Sequence, residues 1–266
     1  MFYVVPSFLL RQIYPRPSKQ TNHLQPADTF LLPPTFLFTP LPSIIPRSFS
    51  LPLILIIAIA MTDQNPERYR QQHKLRLSYM PWLYAGLKPA HRSWAQEWQE
   101  EWQAYLVEME TIIIGKNCFI APEARLFAEP GRAIVIGDNS YIAADCVLHG
   151  PITLGQNVSI NHHVSLDGGR KGIHIGDNTR IAAYTNAYAF NHGMDGDRLI
   201  SDQTVTSKGI HIGCDVWIGA NTGIVDGVTI GDHAVVGMGS IVTKSVADYA
   251  KVAGNPAKTI GVRHPQ

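Results

Sequence analysis

Aliphatic residues recur at every sixth position through most of the second half of the chain. Unbroken runs cover positions 136–166 and 212–242, and shorter runs cover 114–126 and 175–187. An α-helix repeats about every 3.6 residues and a single strand about every two, so neither produces a period of six over this length. A chain that coils as a triangular prism does, with one short strand on each six-residue side. The pattern therefore predicts a mainly β solenoid whose coils bury their apolar side by stacking on one another.

Residues between the aliphatic positions agree with this geometry. Four places after each aliphatic residue the side chain is almost always small or β-branched, as a narrow interior beside a turn requires. Asn or Asp is frequent three places after it, and Gly stands one place after it at eight positions. Gly, Asn and Asp tolerate positive φ angles, so we expect both sets to form tight corners of the prism. An ordinary antiparallel β domain would instead show period-two alternation with variable spacing.

The first 60 residues differ in composition from the rest. They hold ten of the 18 prolines, no glycine, no Glu and one Asp. We expect residues 1–60 to be a non-native extension, with Met61 as the true initiator. Two other interpretations stay open, a signal peptide ending near Ala60 and a membrane anchor, and under either the segment is a disordered leader. The ten apolar residues of Leu51–Ala60 are too short to span about 30 Å of hydrocarbon, so no membrane partner is expected.

Residues 61–110 have the pattern of helices. Arg68–Leu87 is polar with interspersed aromatic residues, and Pro89 separates it from Ser93–Met109. The second piece places five large apolar residues at helical spacing, with three glutamates on the opposite side. The apolar residues are Trp94, Trp98, Trp102, Tyr105 and Met109. Such a stripe is more often a packing face than a ligand site. We expect it to pack on the first coil, so that the segment caps the open end of the solenoid.

Charge and cysteine content narrow the class of protein. The 22 Lys and Arg residues nearly balance the 21 Asp and Glu residues, which argues against nucleic acid as the main partner. Cys118, Cys146 and Cys214 occupy repeat positions and have no Cys or His at metal-ligand spacing. We therefore expect free thiols in a reducing compartment.

The six-residue repeat is interrupted at two places. Between Leu166 and Ile175 the step is nine, and between Ala187 and Ile212 it is 25. The longer interruption predicts a loop over about 188–208, which contains the polar, glycine-rich stretch 190–197. Because function is usually carried where a regular scaffold is interrupted, these loops are the candidates for a site.

Three stretches between about Thr111 and Arg263 are distinctive. They are the loop motif NHGMDG (191–196), the stretch DVWIGANTGIVDGVTIGDHAVVGMGSIVTKSV (215–246) and the terminal AGNPAKTI (253–260). Through these motifs the chain resembles the hexapeptide-repeat acyltransferases, in the branch that contains galactoside, maltose and nodulation-factor acetyltransferases and the xenobiotic acetyltransferases. The loop motif is similar to the NHxMDG of the xenobiotic enzymes.

The resemblance implies a left-handed parallel β-helix over residues 111–247, with an acceptor loop at 188–208 and a C-terminal tail at 248–266. It also implies a homotrimer with active sites between subunits, acetyl-CoA as the donor, and a loop histidine as general base, which is His192 here. A hydroxyl or amine must lose a proton as it attacks a thioester, and an imidazole can accept it because its ordinary pKa lies near ~6.5. The thioester is reactive enough for direct transfer, so no protein nucleophile or metal is expected.

The resemblance further assigns residues to the two substrates. The positions matching donor contacts, including glycines for the pantetheine arm and cations for the phosphates, are Trp217, Gly219, Ala220, Met238, Thr243, Lys244, Lys258 and Arg263. Met238 departs from the family, whose usual residue there is Ala. Asp167 matches an acidic position that faces the acceptor in relatives, and Asn161 is a weaker candidate. The expected acceptor is a small carbohydrate or similar molecule, acetylated on a hydroxyl rather than an amine, and the charged donor places the protein in the cytoplasm.

Two other functions stay open. The γ-type carbonic anhydrases use the same prism and bind zinc through histidines, and Leu148-His149-Gly150 resembles part of their motif. The upstream histidine of that motif is missing, since Ala144 stands in its place. A solenoid with a purely structural role is the other alternative, although it would have no need of a polar loop with His192.

Overall fold

A computed structural model of the protein describes residues 65–264. The expectations for residues 1–60, and for the first four residues of the helical segment, lie outside the described residues. Three helices come first: α1 Pro66–Tyr79, α2 Trp82–Ala85 and α3 Pro89–Met109. The Asn65 side chain caps α1 by accepting hydrogen bonds from the backbone N–H groups of Glu67 and Arg68. Between residues 65 and 264, none of the helices is both long and apolar enough to cross a membrane.

Twenty strands follow, and all but the last two form a prism with three parallel sheets. Sheet 1 contains β1 Ile112–Ile114, β4 Ile134–Ile136, β7 Ile152–Leu154, β10 Ile173–Ile175, β13 Ile210–Ile212 and β16 Thr229–Ile230. Sheet 2 contains β2 Phe119–Ile120, β5 Tyr141–Ile142, β8 Ser159–Ile160, β11 Arg180–Ile181, β14 Trp217–Ile218, β17 Val235–Val236, β19 Ala250–Ala253 and β20 Lys258–Val262. Sheet 3 contains β3 Arg125–Phe127, β6 Val147–His149, β9 Ser165–Asp167, β12 Asn186–Tyr188, β15 Gly223–Ile224 and β18 Ile241–Val242.

The solenoid predicted from the six-residue period is confirmed. Each coil contributes one strand to each sheet, so residues one coil apart pair in register, as Leu148 does with Leu166. The architecture is the left-handed parallel β-helix with a helical N-terminus that the resemblance implies. At the C-terminal end β19 continues sheet 2 in parallel, and β20 turns back to pair with it antiparallel.

The interior of the prism is the apolar set that the repeat marks. Within the described coils, nearly every repeat aliphatic is buried, and so is every predicted small or β-branched residue four places later. Ser140, Thr179 and Thr222 are buried among them because each hydroxyl donates to a carbonyl of its own or a neighbouring coil. Cys118, Cys146 and Cys214 are free thiols in the structure.

The corners are only partly what the sequence predicts. The first corner joins sheets 1 and 2, the second joins sheets 2 and 3, and the third joins sheets 3 and 1. As expected, positive φ angles occur at all seven predicted Asn and Asp positions: Asn117, Asn139, Asp145, Asn157, Asn178, Asp215 and Asn221.

The prediction of positive φ was wrong for the eight recurring glycines, 115, 137, 155, 176, 213, 219, 231 and 237, none of which is in the left-handed region. Their role is close approach between coils. A Cβ atom added to Gly137 would lie 2.5 Å from the carbonyl carbon of Gly155 in the next coil, a separation that real side chains do not reach.

The cap uses a packing face shifted by one residue from the predicted stripe. The buried residues of α3 are Ala95, Gln99 and Leu106, and the three tryptophans pack beside them. Tyr105 and Met109, which the stripe predicted to be buried, are 51% and 61% exposed. One residue corresponds to about 100° around a helix of 3.6 residues per turn, so a packing face centred one position later leaves Tyr105 and Met109 at its edge and open to solvent.

Two glutamines of α3 close the open edge of the first coil. The Gln99 carboxamide donates to the Ile120 carbonyl at 3.1 Å and accepts from the Ile120 N–H at 2.8 Å, as a neighbouring strand would. Gln103 donates to the Cys118 carbonyl at 2.9 Å and to the Gln99 side chain at 3.0 Å. The exposed strand edge predicted for a solenoid end is thus paired by side chains instead of by another coil.

Candidate active site

The interruptions of the repeat all lie at the third corner, where each strand of sheet 3 ends. The last residues of four neighbouring strands pair with one another in register and form a row on the outer face: Phe127, His149, Asp167 and Tyr188. Neighbouring parallel strands lie about 4.8 Å apart, so an imidazole and a carboxylate stand side by side between two aromatic rings. We refer to these four residues as the sheet 3 row.

His149 links two carboxylates across this row. Its Nδ1 lies 3.2 Å from Asp167 Oδ2, and its Nε2 lies 3.1 Å from Oε1 of Glu129, which belongs to the loop after β3. Asp167 Oδ1 accepts from the Gly169 N–H at 2.9 Å and lies 3.4 Å from Arg132 Nη2. Arg132 is itself held by a 2.7 Å hydrogen bond from its Nε to the Gly150 carbonyl.

The two carboxylates change the protonation of the imidazole. Partial burial by itself would lower the pKa of His149, but its hydrogen bonds with Glu129 and Asp167 outweigh that effect, and the pKa is raised. The hydrogen bond with His149 in turn lowers the pKa of Glu129. The cluster therefore keeps a protonated imidazole between two carboxylates to a higher pH than a free histidine would allow.

The sheet 3 row lines an open groove with a volume of about 690 Å³. The end of α3 forms its other wall, and Met109, Val147 and Phe127 provide apolar surface. Its charged and titratable lining residues are Glu110, Glu129, Asp167 and His149, with no Lys or Arg among the lining residues. The groove therefore combines aromatic faces with an acidic rim, a combination that suits a small polar ring with apolar faces.

His192 lies on the loop that follows this row. The stem of the loop is closed by two backbone hydrogen bonds between Asn191 and Thr206, at 2.8 and 2.9 Å. Inside it the buried Gln203 side chain accepts from the Asp195 N–H and donates to two loop carbonyls, which folds the NHGMDG stretch into one conformation. Successive edge-to-face contacts of the aromatic rings connect Tyr188 to Phe190 and Phe190 to His192.

The imidazole of His192 is exposed, and no partner within residues 65–264 forms a hydrogen bond with either ring nitrogen. A loop histidine without a structural partner is free to act on a bound molecule. Asp167 lies at the end of β9, next to β12 from which this loop leaves, so the structure brings the predicted base and the predicted acceptor residue to the same corner.

Five of the eight predicted donor residues lie at the two edges of sheet 3. Thr243 and Lys244 follow β18 at the third corner, and Gly219, Ala220 and Met238 lie at the second corner, at the other edge of sheet 3. Met238 is 74% exposed and Trp217, on the outer face of sheet 2, is 52% exposed.

The remaining cations lie elsewhere on the prism. Lys258 is on β20, and Arg263 binds Asp215 at the first corner, with a 2.8 Å ion pair. The Asp215 carboxylate, whose pKa is lowered by its hydrogen bond with His233 and by Arg263, already neutralises this guanidinium. Lys244 is therefore the predicted cation at the third corner, where His192 lies.

Asn161 lies apart from the sheet 3 row. It follows β8 at the second corner, and its carboxamide donates to the Ile181 carbonyl of the next coil at 3.0 Å. Within one chain, Asn161 precedes β9 and Asp167 is the last residue of β9, so the two residues lie at opposite edges of sheet 3.

Sequence reasoning missed Phe127, Glu129, Arg132 and Tyr188 as site residues and considered His149 only as part of a zinc motif. A signal was present. The residue after each repeat aliphatic is glycine in most coils of sheet 1 and small in most coils of sheet 2, but in sheet 3 it is never glycine. Sheet 3 therefore does not need glycine at these positions for close approach between coils. Its outer face can carry large side chains, which makes it available for function.

Within the described residues, no three His, Cys, Asp or Glu side chains are grouped as a metal site would require. A second cavity of about 330 Å³, between α3 and the first corner, contains none of the predicted site residues.

Comparison with known proteins connects this geometry to a chemistry. The family model of bacterial transferase hexapeptide (six repeats) matches residues 209–244. A probable acetyltransferase of Mycobacterium tuberculosis is 28% identical over 202 residues, which are 72% of this chain and 64% of that protein. The galactoside O-acetyltransferase of Escherichia coli is 32% identical over 127 residues, or 47% of this chain and 62% of the enzyme. The chain thus spans less than two thirds of the length of either relative.

Solved structures of acyltransferases are also similar to this chain. A crystal structure of a variant of AntD, an N-acyltransferase from Bacillus cereus, in complex with dTDP and coenzyme A, is similar with a TM-score of 0.57 and 30% identity. The similarity covers 61% of this chain and 90% of that one. A second AntD structure, with dTDP and 3-hydroxybutyryl-CoA, gives a TM-score of 0.56 at 30% identity and covers 61% of this chain and 88% of its own.

Proposed function

Because this chain belongs to the hexapeptide-repeat acyltransferases, we propose that it transfers an acetyl group from acetyl-CoA to a hydroxyl group of a small carbohydrate, with His192 as the general base. The observation that carries the proposal is the position of the His192 loop at the third corner. The relatives differ in the acceptor atom, since the names of the similar proteins include both an O-acetyltransferase and an N-acyltransferase. The carbohydrate is proposed from the sugar acceptor named for the galactoside enzyme.

The order of strands in sheet 3 supports this arrangement. The strands run β18-β15-β12-β9-β6-β3, and the His192 loop leaves from the end of β12 in the middle. The acceptor groove with Asp167 and His149 lies on the side of β9, β6 and β3. Thr243 and Lys244 lie on the other side, two strands or roughly 10 Å from the end of β12. A base between a donor site and an acceptor site is the placement that direct transfer requires.

The reaction requires one proton transfer in each direction. The acceptor oxygen attacks the thioester carbonyl carbon while a ring nitrogen of His192 takes the hydroxyl proton. The C–S bond then breaks, the new C–O ester bond remains, and the imidazolium returns the proton to the coenzyme A thiolate. No covalent acyl-enzyme is formed. We propose the cytoplasm as the site of action because acyl-CoA donors are found there.

The donor contacts are proposed from the family positions. We place the pantetheine arm along Gly219, Ala220, Met238 and Thr243, and the phosphates near Lys244, with Trp217 and Lys258 beside sheet 2. Lys244 is favoured as the main phosphate ligand because Arg263 is paired with Asp215. The acceptor contact is proposed for Asp167, and Asn161 stays a weaker prediction.

Reversing the charge of Lys244 is expected to weaken donor binding. In Lys244→Glu the KM for acetyl-CoA should rise by about tenfold or more, with a smaller change in kcat, because phosphate contacts act equally on bound substrate and transition state. Lys116→Glu is a matched control, since Lys116 is an exposed residue at the first corner of the first coil, far from the proposed site. Equal KM values for the two variants would place the phosphate site elsewhere.

The proposal is tested by calorimetric titration of the full chain with acetyl-CoA, with zinc content measured on the same sample. Saturable binding at one site per subunit supports the donor site. Transfer is then assayed with galactose, galactosamine and galacturonic acid, which share a ring and differ in charge. Absence of acetyl-CoA binding together with about one zinc per subunit would overturn the transferase in favour of a zinc enzyme.

We also propose self-association to a homotrimer, on the basis of family membership. The mass measured by light scattering should then be three times the chain mass of 29.4 kDa. A single-chain mass under the conditions of full activity would contradict a site shared between subunits.

A further inference from the structure

His149 occupies a position that links three separate elements at the groove. It ends β6, its Nδ1 contacts Asp167 at the end of β9, and its Nε2 contacts Glu129 in the loop after β3. Arg132 also contacts both carboxylates, with its Nη2 3.4 Å from Asp167 Oδ1 and its Nε 3.8 Å from Glu129 Oε2. Cations next to carboxylates favour their charged form, so the imidazole and the guanidinium together fix the positions of both carboxylates at the edge of the groove.

The carboxylates keep capacity for a ligand. A carboxylate has about four lone-pair sites, two on each oxygen. Asp167 uses Oδ1 for Arg132 and the Gly169 N–H, and uses one site of Oδ2 for His149. The Glu129 side chain is 51% exposed, uses one site of Oε1 for His149, and has its Oε2 3.8 Å from Arg132 Nε. The exposed lone pairs that remain accept hydrogen bonds from hydroxyl or ammonium groups in the groove.

The walls of the groove restrict the class of molecule further. Phe127 and Tyr188 are both about half exposed, and the Phe127 ring stands edge-on to His149, 6.5 Å between centroids. Exposed aromatic faces bind the apolar face of a saturated ring. The lining carries three carboxylates and one imidazole, and Arg132 behind them contacts Glu129 and Asp167, so carboxylates still outnumber the cationic groups and an anionic molecule is disfavoured.

From these contacts we infer that His149, together with Arg132, is a positioning residue for the acceptor, holding Glu129 and Asp167 so that they bind the hydroxyl or amino groups of an uncharged or cationic sugar-like ring that packs on Phe127 or on Tyr188. This inference rests on the proposed function, because it concerns the acceptor of the same reaction. Beyond the proposed function, the inference specifies the charge of the acceptor. It also assigns to His149 an effect on the acceptor that is exerted through Glu129 and Asp167.

The arrangement depends on the protonation of His149. A neutral imidazole has one N–H and can donate to only one of the two carboxylates, whereas the imidazolium donates to both. The charged groups that face it are Glu129, Asp167 and Arg132. Because the folded pKa of His149 is raised, the imidazolium holds both carboxylates to a higher pH than an ordinary histidine would, and one of them is released as the pH rises through that raised pKa.

Substitutions of His149 test the positioning role. His149→Ala should raise the KM for the best acceptor of the three-sugar panel by about tenfold or more, the loss of one charge-assisted hydrogen bond, with kcat and the KM for acetyl-CoA changed much less. His149→Asn places an amide N–H near the position of Nδ1 and His149→Gln near that of Nε2. The Asn variant should therefore recover part of the acceptor affinity by donating to Asp167, and the Gln variant should recover part of it by donating to Glu129. His174→Ala, on the outer face of sheet 1, is the matched control and should leave both KM values unchanged.

The pH profile separates positioning from a structural role. In the wild-type enzyme the acceptor KM should increase at high pH, and this increase should disappear in the Asn and Gln variants. A structural role would lower the thermal stability of the variants without changing the shape of the profile. Equal acceptor KM values for wild type and His149→Ala would overturn the inference.

The charge of the acceptor gives an independent test. Galactose or galactosamine should be acetylated with a kcat/KM at least about tenfold above that of galacturonic acid, since a like charge opposite carboxylates is unfavourable. Preference for galacturonic acid would overturn the acidic-groove inference. Binding of acetyl-CoA with transfer to none of the three sugars would also overturn it and leave the donor site in place, whereas absence of acetyl-CoA binding would count against the proposed function itself.

Discussion

Replacing His192 by alanine is expected to lower the rate of acetyl transfer by about 10²–10⁴-fold, the usual contribution of a general base. The side chain is exposed and has no hydrogen-bond partner within residues 65–264, so its removal should change the free energy of unfolding by no more than about 0.5 kcal/mol. The measurement is the initial rate of coenzyme A release with saturating acetyl-CoA and the best acceptor of the panel, together with a thermal melt of each variant.

The control for this experiment lies in the same loop. Leu199 is 70% exposed and forms no part of the proposed site, so Leu199→Ala should retain both activity and stability. More than about a tenth of the wild-type rate in His192→Ala would exclude the general-base role. Loss of activity in both variants would mean that the conformation of the loop, and not its imidazole, is what the reaction needs.

The second large effect concerns the helical cap. Replacing Gln99 by leucine should lower the free energy of unfolding by about 2–6 kcal/mol, because the Ile120 N–H and carbonyl would both lose their partner in a buried setting at about 1–3 kcal/mol each. Gln99 is 1% exposed, and leucine has a similar size, so the change removes hydrogen bonds while keeping the volume filled. The measurement is urea unfolding at a fixed protein concentration.

Gln96 offers the same substitution almost one turn earlier on α3. Its carboxamide is exposed and donates only to Glu100 on the same helix, at 2.8 Å, so Gln96→Leu should change stability by less than about 1 kcal/mol. A Gln99→Leu variant as stable as Gln96→Leu would show that water or a shifted backbone replaces the side-chain contacts. The cap would then cover the first coil by apolar packing alone.

The sequence and structure agree most closely where one physical requirement repeats. Interior positions recur every sixth residue because each coil presents the same narrow space, and Asn or Asp recurs at corners because each corner needs the same φ. The glycines also recur, but composition alone does not distinguish a residue chosen for its φ angle from one chosen for its lack of a Cβ. Only the separation of 2.5 Å between a Cβ at Gly137 and the neighbouring coil makes that distinction.

The site was less predictable because it depends on features that do not repeat. His149 and Asp167 are one coil apart, and the register places them side by side, so their contact follows from the solenoid itself. The contact with Glu129 depends on how the loop after β3 folds, which no period specifies. His192 was found through the resemblance, whereas its ring contact with Phe190 follows only from the path of the chain.

The way the long loop leaves the prism has a consequence for engineering. Although 21 residues separate β12 from β13, the strands on either side keep the pairing of the other coils, with Ile173 opposite Ile210. The stem closes on itself through Asn191 and Thr206, and Asp226 accepts from the Lys208 and Gly209 N–H groups where the chain returns. We therefore expect the prism to fold in the same way whatever sequence lies between Asn191 and Thr206. A segment from another member of the family, grafted between Asn191 and Thr206, should therefore fold on this prism without changes to its coils, while the groove along the sheet 3 row, which lies outside the graft, would keep the acceptor preference of this chain.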